Sequence, residues 1–262
     1  MKHQYFGDQN DYVKYGLLRI LSKSFRIGVA WMLTPPDGKS DGSRTSYLKN
    51  VDEWRHYDVC LYDALERIIV RLGRRDVGLA QDEDLIRSAA YFEEPLSDVT
   101  AERGDYFGRL AQALRGCDLV FFDPDNGMEI PSKPRGKHRK KDSSKYLYWD
   151  ELTSFVKSGS SALVYQHFPR EKRSVFVPRI IDDIAEKTGV HSVVPLLTKH
   201  VAFFLAIRAD HSRRITPLIE AVFSRWDPHI RPFNEDLSAS PDFRRYGNCA
   251  VRPKTQIADD FS

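Results

Sequence analysis

The stretch HSVVPLLTKHVAFFLAI, residues 191–207, carries two runs of strand-forming residues, 191–196 and 200–207, about three residues apart. A helical crossover needs roughly a dozen residues, so these two strands pair antiparallel as a hairpin. Working back from it, the chain alternates. Residues 175–187 read as a helix, 161–167 as a strand, 149–156 as a helix and 118–122 as the most apolar strand of all. Earlier still, 106–114 and 61–72 are helical, and 27–33 is a short buried strand. Residues 10–24 place Val13, Leu17, Leu18, Ile20 and Leu21 on one helical face. A further short strand is expected at 77–79 and a last helix at 213–223, before a poorly patterned tail from Arg231. Strands alternating with helices predict an α/β fold of three layers, its sheet mostly parallel and closed by a C-terminal antiparallel hairpin.

With 262 residues, 41% of them apolar and 12% aromatic, the chain can bury a full core. It reads as a single domain over 1–262, with an N-terminal helical extension and an insertion at about 39–105. Charged residues make up 29%, mean hydropathy is −0.48, and no apolar run approaches the roughly 20 residues that cross a bilayer, so no membrane partner is expected. The opening MKHQYFGDQND lacks the hydrophobic stretch of a signal peptide. Cys60, Cys117 and Cys249 are odd in number, far apart and without Cys-x-x-Cys spacing, which argues against a disulfide framework and a zinc knuckle. A reducing cytoplasm is the expected location. No complete Gly-x-x-x-x-Gly-Lys-Ser/Thr phosphate loop occurs, since Leu33 stands where its first glycine would be, which argues against phosphate-loop nucleoside triphosphatases.

The net charge of +3 says little, but its distribution says more. Lys133, Arg135, Lys137, Arg139, Lys140 and Lys141 fall within nine residues that include His138 and no acid; without those six, the chain's +3 becomes −3. Pro134 and Gly136 in the same stretch predict a solvated, mobile loop. It follows the most informative motif. In an open parallel sheet, ligands gather at the carboxyl ends of the strands. There, directly after the apolar Leu119, Val120, Phe121 and Phe122, stand Asp123, Pro124, Asp125, Asn126 and Gly127. Two carboxylates and an amide at the end of a buried strand suit a ligand, on a turn stiffened by Pro124. A plain turn, its Asp and Asn side chains bonded to their own backbone, is the alternative. Two other strand ends offer Thr34, Asp37 and Gly38, and Gln166, His167 and Phe168.

Asp123-Pro124-Asp125-Asn126 resembles the Asp-Pro-Pro-Tyr motif of adenine-N6 methyltransferases. Gly7-Asp8-Gln9-Asn10-Asp11-Tyr12-Val13-Lys14-Tyr15 is similar to the opening of the family that methylates an adenine of large-subunit ribosomal RNA. The pairing of these two motifs also resembles that of a bacterial family whose likeness implies no activity. A closing hairpin with an inserted antiparallel strand is a further resemblance to Rossmann-like methyltransferases. The likeness covers about residues 5–38 and 118–207. It implies S-adenosylmethionine as cofactor, bordered by Trp31, Thr34, Asp37 and Gly38, and a nucleic-acid partner, RNA or DNA. Asp123, Pro124, Asp125 and Asn126 would then meet an exocyclic adenine amine, a poor nucleophile that positioning must activate. Lys14 would lie near the cofactor and the motif turn; on the helix pattern alone it reads as an exposed lysine. An extruded base could stack on Tyr5, Phe6, Tyr12 or Tyr15, with the basic loop on the phosphates. Here one glycine stands where the family's cofactor loop has several, and Asp125 and Asn126 replace a proline and an aromatic residue.

Two other readings stay open. Asp123, Asp125 and Glu129 could bind Mg²⁺ through hard oxygen ligands, with His167 or Lys145 assisting, as in a metal-dependent nuclease or phosphohydrolase. Alternatively, the domain binds nucleic acid through its basic loop and catalyses nothing. Trp54, Trp149 and Trp226 read as core.

Overall fold

The computed structural model describes residues 1–34, 42, 44–130 and 142–233. Helix α1 (Gln9–Leu21) starts at the Asp8 cap, whose side chain accepts the Asp11 N–H at 2.9 Å, and leads into β1 (Ile27–Ala30). A helical segment follows with α2 (Val51–Trp54), α3 (Val59–Glu66) and α4 (Leu79–Asp82), then β2 (Ala90–Phe92) and α5 (Thr100–Ala113). Next come β3 (Leu119–Phe122), β4 (Gly127–Met128), β5 (Tyr146–Leu147), α6 (Trp149–Lys157), β6 (Ser161–His167) and α7 (Arg173–Thr188). The chain continues through β7 (Ser192–Leu197), β8 (Val201–Ile207), α8 (Ser212–Arg225) and β9 (Arg231–Pro232).

The central sheet has the order β2-β1-β3-β6-β8-β7-β9. The pairs from β2 to β6 are parallel, and β8 pairs antiparallel with both β6 and β7, with His167 opposite Val201 and Leu197 opposite Ala202. The fold is therefore α/β around a mixed sheet whose first four strands are parallel. The expected hairpin is present, and β9 adds an antiparallel edge. Side chains of alternating parity enter two cores. Val29, Leu119, Phe121 and Leu163 pack with α1, α3 and α8, while Ala30, Val120, Phe122 and Val164 pack with α5, α6 and α7. At roughly 25 cal/mol per Å² of apolar surface removed from water, these two faces carry most of the folding drive.

Residues 77–79, expected as a strand, instead form a turn that enters α4, the Ala80 N–H donating to the Val77 carbonyl at 3.0 Å. The edge strand comes later, from Ala90, Tyr91 and Phe92. Among the described residues, no helix is long and apolar enough to cross a membrane.

Candidate functional site

From β1 the chain returns to β2 on one flank, while β3 lies on the other, so the order reverses between β1 and β3. In open α/β sheets the crevice at the carboxyl ends of such strands is where ligands bind. Here Thr34, beyond β1, faces Asp125, beyond β3, and the Thr34 hydroxyl donates to Asp125 Oδ2 at 2.9 Å. Met1 packs against both. Its ammonium donates to the Asp123 carbonyl at 3.0 Å and the Met32 carbonyl at 3.2 Å, and sits 2.7 Å from Asp125 Oδ1. The Met1 carbonyl accepts the Thr34 N–H at 3.0 Å. Burial pushes the Asp125 carboxyl up, but the neighbouring ammonium, Thr34 and Lys2 more than offset it and hold the group below the usual carboxylate range.

Beneath the crevice lies a buried charge cluster. Lys14 Nζ is 2.7 Å from Asp123 Oδ2 and 2.6 Å from Asp11 Oδ1, all three side chains being almost fully enclosed. Asp11 Oδ2 also accepts the Gly7 N–H at 3.0 Å and the Tyr15 hydroxyl at 3.1 Å. The Lys14 ammonium stands 5.4 to 5.9 Å from the ring centres of Trp31, Tyr165, Tyr15 and Phe121. Burial opposes its charge, but Asp11 and Asp123 outweigh burial and keep it protonated. Three carboxylates, those of Asp8, Asp11 and Asp123, crowd this cluster, and the crowding favours a proton on one of them. Asp8, desolvated and beside the charge of Asp11, is pushed up to about 7. Asp123 is raised by burial, with Lys14 opposing the shift.

The Asp123 and Asp125 carboxylates thus bond outside their own turn, unlike those of a plain Asx turn. Gly127 is required where it stands: at φ +117°, a Cβ there would lie 2.2 Å from Gln166 Oε1. The Gln166 amide grips the turn, Nε2 donating to the Asn126 carbonyl at 3.1 Å and Oε1 accepting the Met128 N–H at 2.8 Å. His167 lies at the neighbouring strand end. Its N–H donates to the Asn126 carbonyl at 3.2 Å, its Nε2 is 3.3 Å from the Tyr165 hydroxyl, and partial desolvation lowers its pKa. An open cleft of about 370 Å³ adjoins Thr34, lined also by Lys2, His3, Gln4 and Arg75. Arg75 donates to the carbonyls of Phe6 at 3.0 Å and Gly42 at 2.5 Å.

Several expected site residues lie elsewhere. Tyr12 and Tyr15 are fully buried: the Tyr12 ring stacks on Tyr47 and its hydroxyl donates to the Trp54 carbonyl at 2.9 Å, so neither ring can receive a base. Phe6 is equally enclosed. Trp31 is sealed in the core between Tyr15 and Tyr91 and borders no open space. Glu129 Oε1 accepts the Trp149 N–H at 3.2 Å, and Lys145 pairs with Asp142 at 2.9 Å. Among the described residues, no three His, Cys, Asp or Glu side chains are arranged to hold a metal ion. Asp37, Gly38, Lys133, Arg135, Lys137, Arg139, Lys140, Lys141 and Cys249 lie outside the described residues.

Glu129 and Asp142, on either side of the basic stretch, are anchored close to the turn. The Asn126 N–H donates to the Lys145 carbonyl at 2.9 Å, β4 pairs with β5, and Asp98 accepts the N–H groups of Asp142 and Ser144 at 2.9 and 2.7 Å. Asp8 and Asp11, reached by no sequence argument of their own, belong to the site. The available signal was the Asp11/Lys14 spacing of three, which puts opposite charges on one helix face.

Against known proteins, the chain matches no family model, no curated protein and no solved structure.

Proposed function

We propose that this chain is a methyltransferase of the S-adenosylmethionine-dependent, Rossmann-like type, acting on nucleic acid at an exocyclic adenine amine. One observation carries the reading: a stiff polar turn stands at the switch point of the sheet, bonded across it to Thr34 and next to an open cleft. The reversed strand β8, inserted between β6 and β7, is the arrangement that the resemblance implies, and it supports the same reading. The cleft suits the cofactor at its anionic end, where the Arg75 guanidinium would hold the carboxylate beside Thr34. When bound, the cofactor supplies an electrophilic methyl group.

The chain's own residues position the acceptor. Asp123 is neutralised by Lys14 and barely exposed, so it fixes the turn and does not touch the base. The Asn126 amide is half-buried and meets no partner among the described residues, which makes it the side chain free to hydrogen-bond an amine. The Pro124 carbonyl, also unpartnered among the described residues, is the second acceptor. Holding the amine in line with the methyl group is the main source of rate.

A second reading, a binding domain without catalysis, is favoured by the Asp125 carboxylate, which Thr34 and Lys2 already take up. Calorimetry with S-adenosylmethionine and its demethylated product, with and without Mg²⁺, combined with labelled methyl transfer to RNA and DNA, separates the two. Cofactor binding indifferent to Mg²⁺, and transfer that falls more than about tenfold in Asn126→Ala, support the transferase. Nucleic-acid binding with no cofactor heat and no transfer overturns it.

A further inference from the structure

A second cluster of cations lies on the same edge of the sheet, away from the cleft. Because His167 pairs with Val201, the β7–β8 turn with Lys199 and His200 sits beside the loop that leaves β6. That loop carries Phe168 and Arg170, and Arg173 opens α7 directly after it. The Arg173 guanidinium bridges the two segments, donating to the Lys199 carbonyl at 2.6 Å and lying 4.0 Å from the centre of the Phe168 ring. Arg170, Arg173, Lys199 and His200 are all exposed, and Phe168 is partly so. Glu171, the acid in this loop, is paired with Arg179 at 2.6 Å. Arg44, also exposed, lies close enough for its charge to act on His200. Burial and then the charges of Arg44, Lys199 and Arg173 lower the His200 pKa, as expected of an imidazole facing cations.

An uncompensated positive patch holding a guanidinium stacked on an aromatic ring matches two chemistries at once. The cations suit phosphodiester oxygens, and the flat Arg173–Phe168 stack suits an unpaired base. Its position matters as well. The polar turn after β3 and this patch after β6 share one edge of the sheet across neighbouring strands, so a strand laid over the patch would lead toward Asn126. We propose that Arg44, Phe168, Arg170, Arg173, Lys199 and His200 form a docking surface for single-stranded nucleic acid that feeds the polar turn. This rests on the nucleic-acid reading above but not on methyl transfer.

The test uses the full chain and a labelled 20-nucleotide single-stranded RNA, followed by fluorescence anisotropy at several salt concentrations. The doubly reversed Arg173→Glu/Lys199→Glu should bind about tenfold more weakly at low salt and show a shallower dependence on salt. Phe168→Ala should weaken binding with the salt slope unchanged, since stacking releases no counterions. Reversing Arg87 and Lys157, exposed at the opposite edge, should leave binding within about twofold of the parent. Thermal melting of each variant confirms that it is folded. A folded double reversal that binds like the parent overturns the proposal, as does a parent chain that binds no RNA. Loss confined to vesicles of anionic phospholipid would assign the surface to membranes and overturn it too. Cofactor calorimetry is read separately, so an RNA surface on a chain that binds no cofactor leaves this proposal standing and removes only the transferase.

Discussion

Lys14 shows how one side chain decides what the motif can do. Helix periodicity alone makes it an exposed lysine, yet it is buried between Asp11 and Asp123 and ties α1 to the end of β3. Removing one partner of a buried ion pair strands the others, so Lys14→Met should lower stability by about 3–5 kcal/mol in chemical denaturation. A loss under about 1 kcal/mol would show that the carboxylates take up protons at no expense. Asp8 supplies a pH signature. Its folded pKa of about 7 lies above its ordinary 3.8, so the folded state holds the proton more tightly. Its contribution is fully present below about pH 4 and is lost as pH rises toward 7. Asp8→Asn keeps the acceptor that caps α1 and should flatten that decline, with the variant more stable than the parent by over about 1 kcal/mol at pH 8. Matching pH profiles would remove Asp8 from the cluster's titration.

Among the elements, the long apolar runs were legible. The hairpin of β7 and β8, the strands β3 and β6, and helices α1 and α7 follow from strand-forming residues and helical spacing, within a few residues at their ends. The edge strand β2 was not legible, because three residues in an acidic stretch carry no period of their own and pair only because β1 offers a free edge. Residues 77–79 misled for the opposite reason: Val77 and Leu79 are buried, but from a turn and from the first residue of α4. In the site, the strand-end turn could be read from the polarity that follows an apolar run. The inward aim of its carboxylates could not, since that depends on contacts 91 and 109 residues apart. Tertiary contact also explains Gly16, where a Cβ would fall 1.8 Å from the buried Trp226 indole at the crossing of α1 and α8. Helix propensity favours alanine there, but overpacking should prevail, and Gly16→Ala should lose about 1–3 kcal/mol in stability. A stabilised variant would mean that Trp226 can swing away.

At the scale of the whole molecule, the question is how a chain of net charge +3 could engage a polyanion at all. The cations are distributed unevenly. Six of them fall within residues 133–141; on either side of that stretch, Met128 pairs with Leu147 beside the turn after β3, and Asp142 and Ser144 donate to Asp98. The patch around Arg173 and Lys199 stands at the same carboxyl edge. If both meet phosphates, each releases its own counterions, and the slopes of log affinity against log salt add, at roughly 0.7 per phosphate on a single strand. Replacing the six basic residues of 133–141 by glutamine should therefore flatten the slope by an amount independent of the Arg173→Glu/Lys199→Glu change, and combining the two sets should flatten it by the total. Equal slopes for the parent and the glutamine variant would free the basic stretch from any contact with nucleic acid. A combined loss well short of the total would mean that the two segments grip the same phosphates, and hence that the bound strand runs across the turn and not past it.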